Sequence, residues 1–375
     1  MLQKTLSRIL GCALLSYGST ALAFTLINIS QEQFEPSATI TDSFAPEAQV
    51  QSIAGTIRSQ IFGLRRPGRA KEVTQVGGMM LAANDHSGSA SDVNALAAAA
   101  NDPSAAGSGR SGGGGNSGSL WVSSAIDSLE NTFSRTAFYG ATQNVLVGYD
   151  VTRSDKYVLG ISGGYEASNF ATKFNSGNEK TRGVNINPYF AWLLSDSWSL
   201  DLIGGVGKFK TDQSRTLGSA TPPATVAVDS DFSSKRGFAS TNLTNISSFG
   251  NWKLTGSLGY LGSKRNQDGY TESDGTTTVA ASKQTSRQWN LLGEAAYGRG
   301  NSETFFGARY EDIRNYRKIE FATGEQPAND PSSVLLTAGW RHFGKDLTAN
   351  FVLSARAAQE QVKGYGVSMV LRADL

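Results

Sequence analysis

Histidine is the side chain best suited to moving protons near neutral pH, and this chain has only two, His86 and His342. Hydrolysis by a serine nucleophile needs a base within reach and a third group to orient it. His86 lies in a polar tract, and His342 shares a face with Trp340, where an interfacial role fits better than a catalytic one. Glu272-Ser273-Asp274 offers oxygen ligands for Ca²⁺ without the spacing of a calcium loop. Gly112 to Gly115 lacks both the strand–helix context and the lysine of a phosphate loop. The expectation is no catalytic residue, no cofactor, no metal site and no enzyme activity.

The remaining charged residues show a different order. Asp150, Glu166, Asp201, Glu294, Arg309, Glu311, Arg341, Arg356 and Arg372 fall at alternate positions within runs whose other positions are apolar. Side chains of a strand alternate between its two faces, so these residues would line one face of a sheet and the apolar set the other. Both signs occur, which suits a water-filled or plugged barrel lumen.

About twelve such runs lie between Leu120 and Leu375. The pattern is clean in Val145, Val147, Tyr149 and Val151, in Tyr157, Leu159, Ile161 and Tyr165, and in Leu347, Ala349, Phe351, Leu353 and Ala355. The sixth, Gly237 to Ser247, is polar and poorly patterned and is placed by its neighbours. In Tyr365 to Leu375 the apolar set is Tyr365, Val367, Met369, Leu371, Ala373 and Leu375, with Arg372 and Asp374 on the other face. That strand alone fits a soluble sandwich edge as well as a barrel. The connections separate the two. Those at Ser154, Ser195, Gly250, Gly298 and Gly344 read as short, and those near Asn175, Leu217 to Asp231, Asn266 to Thr278 and Phe321 to Ser332 as long and polar. Outer-membrane barrels pair short periplasmic turns with longer external loops, and an even strand number returns the C-terminus to the periplasm. Tyr149, Tyr157, Trp192, Trp198, Trp252, Tyr297 and Trp340 cluster by the short turns, as an interfacial girdle requires. The expected fold is all-β: a closed antiparallel transmembrane barrel of about twelve strands over 119–375.

Bulk properties agree. Mean hydropathy is −0.27, and no apolar run after the N-terminus is long enough for a spanning helix. The net charge of +2 and the absence of a basic tract argue against nucleic acid. Residues 1–23 read as a signal peptide: Lys4 and Arg8 precede the apolar stretch Ile9 to Leu15, and Ala21-Leu22-Ala23 supplies a cleavage site. Its implied partner is the inner-membrane general secretion machinery. Cys12, the one cysteine, lies inside it, so no disulfide framework is expected; Leu10-Gly11-Cys12 only faintly matches a lipoprotein box. Residues 24–118 read as a short passenger or linker. Within them Val50, Ile53, Ile57 and Ile61 repeat at helical spacing and predict a helix over Ala45 to Leu64, with Pro46 tolerable in its first turn. A weaker helix pattern covers Ser91 to Ala100, and a Gly/Ser-rich tether covers 103–118.

Laid out in this way the chain resembles the autotransporter (type V secretion) family. The resemblance rests on Leu120-Trp121-Val122-Ser123, Thr136-Ala137-Phe138-Tyr139-Gly140, Val147-Gly148-Tyr149-Asp150, and the run Leu159-Gly160-Ile161-Ser162-Gly163-Gly164-Tyr165-Glu166. It implies a twelve-stranded translocator in the bacterial outer membrane, through which the upstream segment reaches the cell surface, a helix often staying in the lumen. It also implies insertion into outer-membrane lipid by the barrel-assembly machinery, which would read Tyr365 to Leu375. Two departures stand out: Leu375 occupies a position where an aromatic residue is typical, and the upstream segment is too short and irregular for the usual β-helical passenger. Some family members release the passenger by backbone attack from an asparagine side chain, which draws attention to Asn84 and Asn101, each followed by Asp. The leading function is export or display of the chain's own N-terminal segment. The alternative is a stand-alone porin-like or adhesin barrel with a plugged lumen; a barrel hydrolase is the weakest reading, given two histidines.

Overall fold

Alternation of apolar and polar residues over many consecutive positions gives a strand two dissimilar faces, and a sheet built only from such strands must keep one face away from water. Closure solves this and leaves no unpaired edge. The computed structural model of the chain describes residues 45–64, 117–153, 156–218, 225–314, 331–344 and 347–375. Helix α1 (Ala45–Leu64) comes first. The strands follow: β1 (Ser117–Asn131), β2 (Phe138–Arg153), β3 (Tyr157–Thr172), β4 (Gly177–Leu193), β5 (Trp198–Gly218), β6 (Thr225–Phe249) and β7 (Trp252–Gln267). A small hairpin, β8 (Tyr270–Thr271) and β9 (Thr278–Val279), interrupts the series before β10 (Ser282–Arg299), β11 (Ser302–Arg314), β12 (Ser332–Phe343), β13 (Leu347–Ala357) and β14 (Val362–Asp374). Twelve strands form the barrel, each antiparallel to its sequence neighbour, and β14 closes on β1 with Ser119 opposite Asp374 and Asn131 opposite Val362.

The outer face is apolar. Leu159, Val184, Val206, Leu258, Leu291, Phe306 and Leu353 are all exposed, an arrangement water would penalise and lipid would not. The seven girdle aromatics expected at the short-turn end are all outward and exposed; Tyr157 stacks on Trp192 and Trp252 packs against Tyr297. A second aromatic set, Tyr165, Trp289, Tyr310 and Tyr365, stands on the outer face nearer the far end. His342 faces outward too, stacked on Trp340 with Nδ1 3.0 Å from Ser302 Oγ.

The strands are staggered. A row of directly paired residues starts at Tyr157, beside a short turn, passes through Trp192, Leu200, Leu243, Leu258, Leu291 and Tyr310, and ends at Val334, near the opposite end of the barrel. Pairing rows therefore climb from β3 to β12, as the tilt of a closed barrel demands.

Several connections differ from the sequence reading. The link near Asn175 is short, because β3 and β4 are separated only by residues 173–176. The segment Leu217 to Asp231 is mostly strand: β5 runs to Gly218 and β6 starts at Thr225, so the sixth strand far exceeds Gly237 to Ser247. Beyond the bilayer both faces of this hairpin meet water, so hydrophobic alternation fades while backbone pairing continues. The stretch Asn266 to Thr278 carries β8 and part of β9. The reversal expected at Gly298 lies at Gly300, whose φ of +58 suits a residue without a Cβ. β1 begins at Ser117, inside the tether expected over 103–118, because Ser117 and Gly118 already pair with Thr152 and Val151. The signal peptide, the pattern at Ser91 to Ala100, Asn84, Asn101, His86 and the connection before Ser332 lie outside the described residues.

Candidate functional site: the lumen and its helix

Helix α1 lies inside the barrel. Its apolar stripe, Val50, Ile53, Ala54, Ile57 and Ile61, is at most 3% exposed. Part of that stripe packs on an apolar patch of the inner wall made by Trp121, Leu146, Val158, Tyr189, Ala191 and Ile203. Full burial of each large aliphatic side chain contributes about 1.5–3 kcal/mol, against the entropy of ordering the segment. The opposite side of α1 meets polar wall. Asn144 donates to Ser52 Oγ at 3.0 Å, Gln51 donates to Gln288 at 2.6 Å and accepts from Arg356 at 3.1 Å, and Gln49 accepts from Arg236 at 2.9 Å. Arg58 reaches Asp201 at 3.3 Å and also donates to Ser240. An amphipathic helix thus sits in an amphipathic lumen, face matched to face.

The helix has a defined direction. Near its start, Ala48 packs on Leu129, Phe138, Phe170 and Phe174, which stand at the far end around the β1–β2 and β3–β4 connections. Near its finish, Ile61 belongs to the cluster with Val158 and Ala191, next to the short turns. α1 therefore runs from the far mouth toward the short-turn end, where β1 also begins.

The inward charges identified from the sequence are all inside, and the structure pairs them. Arg372 on β14 binds Asp150 on β2 at 2.8 and 3.0 Å, bridging over β1 and so across the closing seam. Arg341 forks onto Glu294 with both bonds at 2.7 Å, Arg356 holds Glu311 at 2.9 Å, and Arg309 approaches Glu311 at 3.7 Å. Asp150 also accepts from Tyr189, which accepts from Trp121 Nε1 at 2.8 Å. Trp121 and Tyr189 lie over glycines: a Cβ at Gly148 would meet the Trp121 ring at 2.3 Å, and one at Gly160 the Tyr189 ring at 2.1 Å. Such buried pairs give little net stability, but removing one partner strands the other charge.

The sequence reading missed several inner residues, four of which bear on the helix and the wall around it. Arg236, bound to Glu166 at 2.5 Å, sits in the poorly patterned sixth strand. Arg58 belongs to the helix. Trp121 and Tyr189 had a usable signal, since parity alone puts them out of phase with Leu120, Val122, Phe190 and Trp192. Between α1 and the wall formed by β10–β14 and β1 a cleft remains, lined by polar groups such as Ser59, Asp127, Asn290, Asn350 and Ser354.

At the far end, Arg215 forks onto Glu272 at 2.8 and 2.9 Å, and Phe232 stacks on Tyr270 with centroids 4.7 Å apart, so the β8–β9 hairpin is tied down onto the β5–β6 hairpin. Asp274 accepts hydrogen bonds from Thr277 and Thr276, which hold its carboxyl well below the usual carboxylate range. Glu272 and Asp274 are thus committed to protein partners and do not converge on a cation. Among the described residues no group of three or more His, Cys, Asp or Glu is arranged to hold a metal. The geometry fills and organises a pore.

The comparisons point the same way. A family model described as the autotransporter beta-domain matches residues 120–311. The translocator domain of autotransporter NalP from Neisseria meningitidis is similar in structure, with a TM-score of 0.58, 12% identity, and coverage of 69% of this chain and 88% of that one. The beta domain of the Bordetella autotransporter BrkA aligns with a TM-score of 0.54 at 16% identity, over 69% of this chain and all of that one. No curated protein matches in sequence.

Proposed function

The chain belongs to the autotransporter family through its β-domain, is an integral barrel of the outer membrane, and on that premise we propose that it exports and displays its own N-terminal segment. In this reading residues 1–23 direct secretion and are removed. Residues 24–44 emerge at the cell surface, α1 stays in the lumen, and 65–116 return on the periplasmic side to β1. The barrel-assembly machinery inserts the barrel by engaging β14.

The observation that carries the reading is the direction of α1. Its first residues lie among Phe138, Phe170 and Phe174 at the end bearing the extended β5–β6 hairpin, and its last near the short turns. With the short turns periplasmic, whatever precedes Ala45 is attached at the outer mouth. A plug evolved only to close a pore has no need of that polarity. The chemistry is transport, and nothing in the lumen is assigned a catalytic role.

An epitope inserted at Asp42 tests this on intact cells. External protease should remove it while the barrel stays inserted. Protection of the epitope in cells whose barrel is demonstrably in the outer membrane would overturn the proposal in favour of a stand-alone plugged barrel.

A further inference from the structure

Basic residues on the outer face are not spread evenly. Arg182 on β4, Lys208 and Lys210 on β5, Lys235 on β6, Lys264 on β7 and Arg287 on β10 all point outward and are exposed. Lys208 is directly opposite Lys235, and Arg182 directly opposite Lys210. From Lys235 the direct partner on β7 is Asn266, so Lys264 is its diagonal neighbour toward the short-turn end; Arg287 is related to Lys264 in the same way through Thr285. Because pairing rows climb from β3 to β12, these downward steps offset the climb. The six residues form a belt at roughly constant height over five adjacent strands.

Like charges directly opposite in a sheet repel. Asp231 and Asp212 offset Lys210, at 3.2 and 3.8 Å. Among the described residues Arg182, Lys208, Lys235, Lys264 and Arg287 have no ion pair. Beside the belt, between β1 and the β3–β4 link, outer-face charges offset one another instead, Glu130 pairing with Lys173 at 3.7 Å.

Toward the short-turn end from Arg287 a groove opens on the same outer face, lined by Leu200, Thr241, Leu243, Leu258, Tyr260 and Trp289 along two paired rows, and it meets the belt at Arg287. Tyr260 and Trp289 pack at 4.9 Å along it. An apolar furrow meeting a row of uncompensated cations suits a ligand with acyl chains in the furrow and phosphates on the cations.

We infer that the outer face of β4 to β7 and β10 is a binding site for a phosphorylated glycolipid of the outer leaflet, its phosphates bridging Lys208, Lys235, Lys264 and Arg287 and an acyl chain lying in the groove under Trp289. The phosphates convert the repulsion between facing cations into attraction. The ligand is also continuous with the lipid that already covers the apolar face.

The test uses the full-length protein in detergent micelles and a bis-phosphorylated, acylated glucosamine disaccharide as probe, with binding read by native mass spectrometry. The parent protein should hold the probe, and bind its dephosphorylated counterpart and phosphatidylglycerol at least about tenfold more weakly. The variant K208Q/K235Q/K264Q/R287Q should lose about tenfold or more in affinity, whereas K363Q on β14, across the barrel, should bind as the parent does. Equal binding of the dephosphorylated probe or of phosphatidylglycerol to the parent overturns the proposal, as does full retention by the fourfold variant. Should that variant fail to fold, the parent's discrimination between the three lipids decides.

Discussion

Arg58→Met probes what keeps α1 in the lumen. Arg58 Nε is 3.3 Å from Asp201, with the two side chains 9% and 3% exposed. Breaking a buried ion pair by removing one partner costs about 3–5 kcal/mol. The cleft beside α1 brings water within reach of the site, which lowers the expected loss to about 2–4 kcal/mol, or a roughly 30- to 1000-fold larger undocked fraction. Single-channel recording in planar bilayers reads that fraction as the frequency of large openings. Arg58→Met/Asp201→Asn, which also removes the Asp201 charge, should recover docking to within about 1 kcal/mol of the parent. Ile57→Ala, which leaves a cavity in the apolar contact, should also promote opening, at about 2–5 kcal/mol, and Asp201→Asn should not rescue it. An opening frequency for Arg58→Met equal to that of the parent, or a double variant no better than the single one, would refute the view that this pair secures the helix. The epitope at Asp42 should reach the surface in all of these variants, since docking and export are separate events.

Other expectations concern the barrel. Met369→Asp puts a carboxylate on the lipid face of β14 at a cost of about 1–3 kcal/mol according to depth, and should reduce the heat-modifiable, membrane-inserted band. Gly148→Val directs a side chain into the Trp121 ring; overpacking of about 1–3 kcal/mol should lower the temperature at which the barrel unfolds in detergent, and an unchanged midpoint would mean that the ring has room to move. The hairpin that follows β7 should be insensitive to mild acid. Hydrogen bonds from Thr277 and Thr276 lower the pKa of Asp274 in the folded state, so its contribution is present above the unfolded carboxylate range and is lost only as pH falls through the depressed value. Amide exchange at Thr276 and Thr277 should therefore stay slow from pH 7 to about 4, and Asp274→Ala should abolish that protection.

Much of this molecule was legible because a strand's period of two is local. Leu347 to Ala355 shows which side chains face lipid without reference to any other strand, and the girdle from Tyr149 to Trp340 follows from the same parity. Parity likewise put Asp150, Glu166, Glu311 and Arg372 inside, and helical spacing gave α1 its limits. The rule fails where both faces see the same solvent, which is why the ends of β5 and β6 read as loop. Local pattern also cannot say that Arg372 answers Asp150 across β1, that Arg58 answers Asp201, or that α1 points its first residues to the far mouth. The basic belt is the clearest case: Arg182, Lys208, Lys235, Lys264 and Arg287 are scattered along the chain and become neighbours only through the stagger of five strands. Sequence determines on which face each residue stands, because that depends on the backbone of its own strand. Which residues stand beside one another depends on register and closure, which no strand possesses alone.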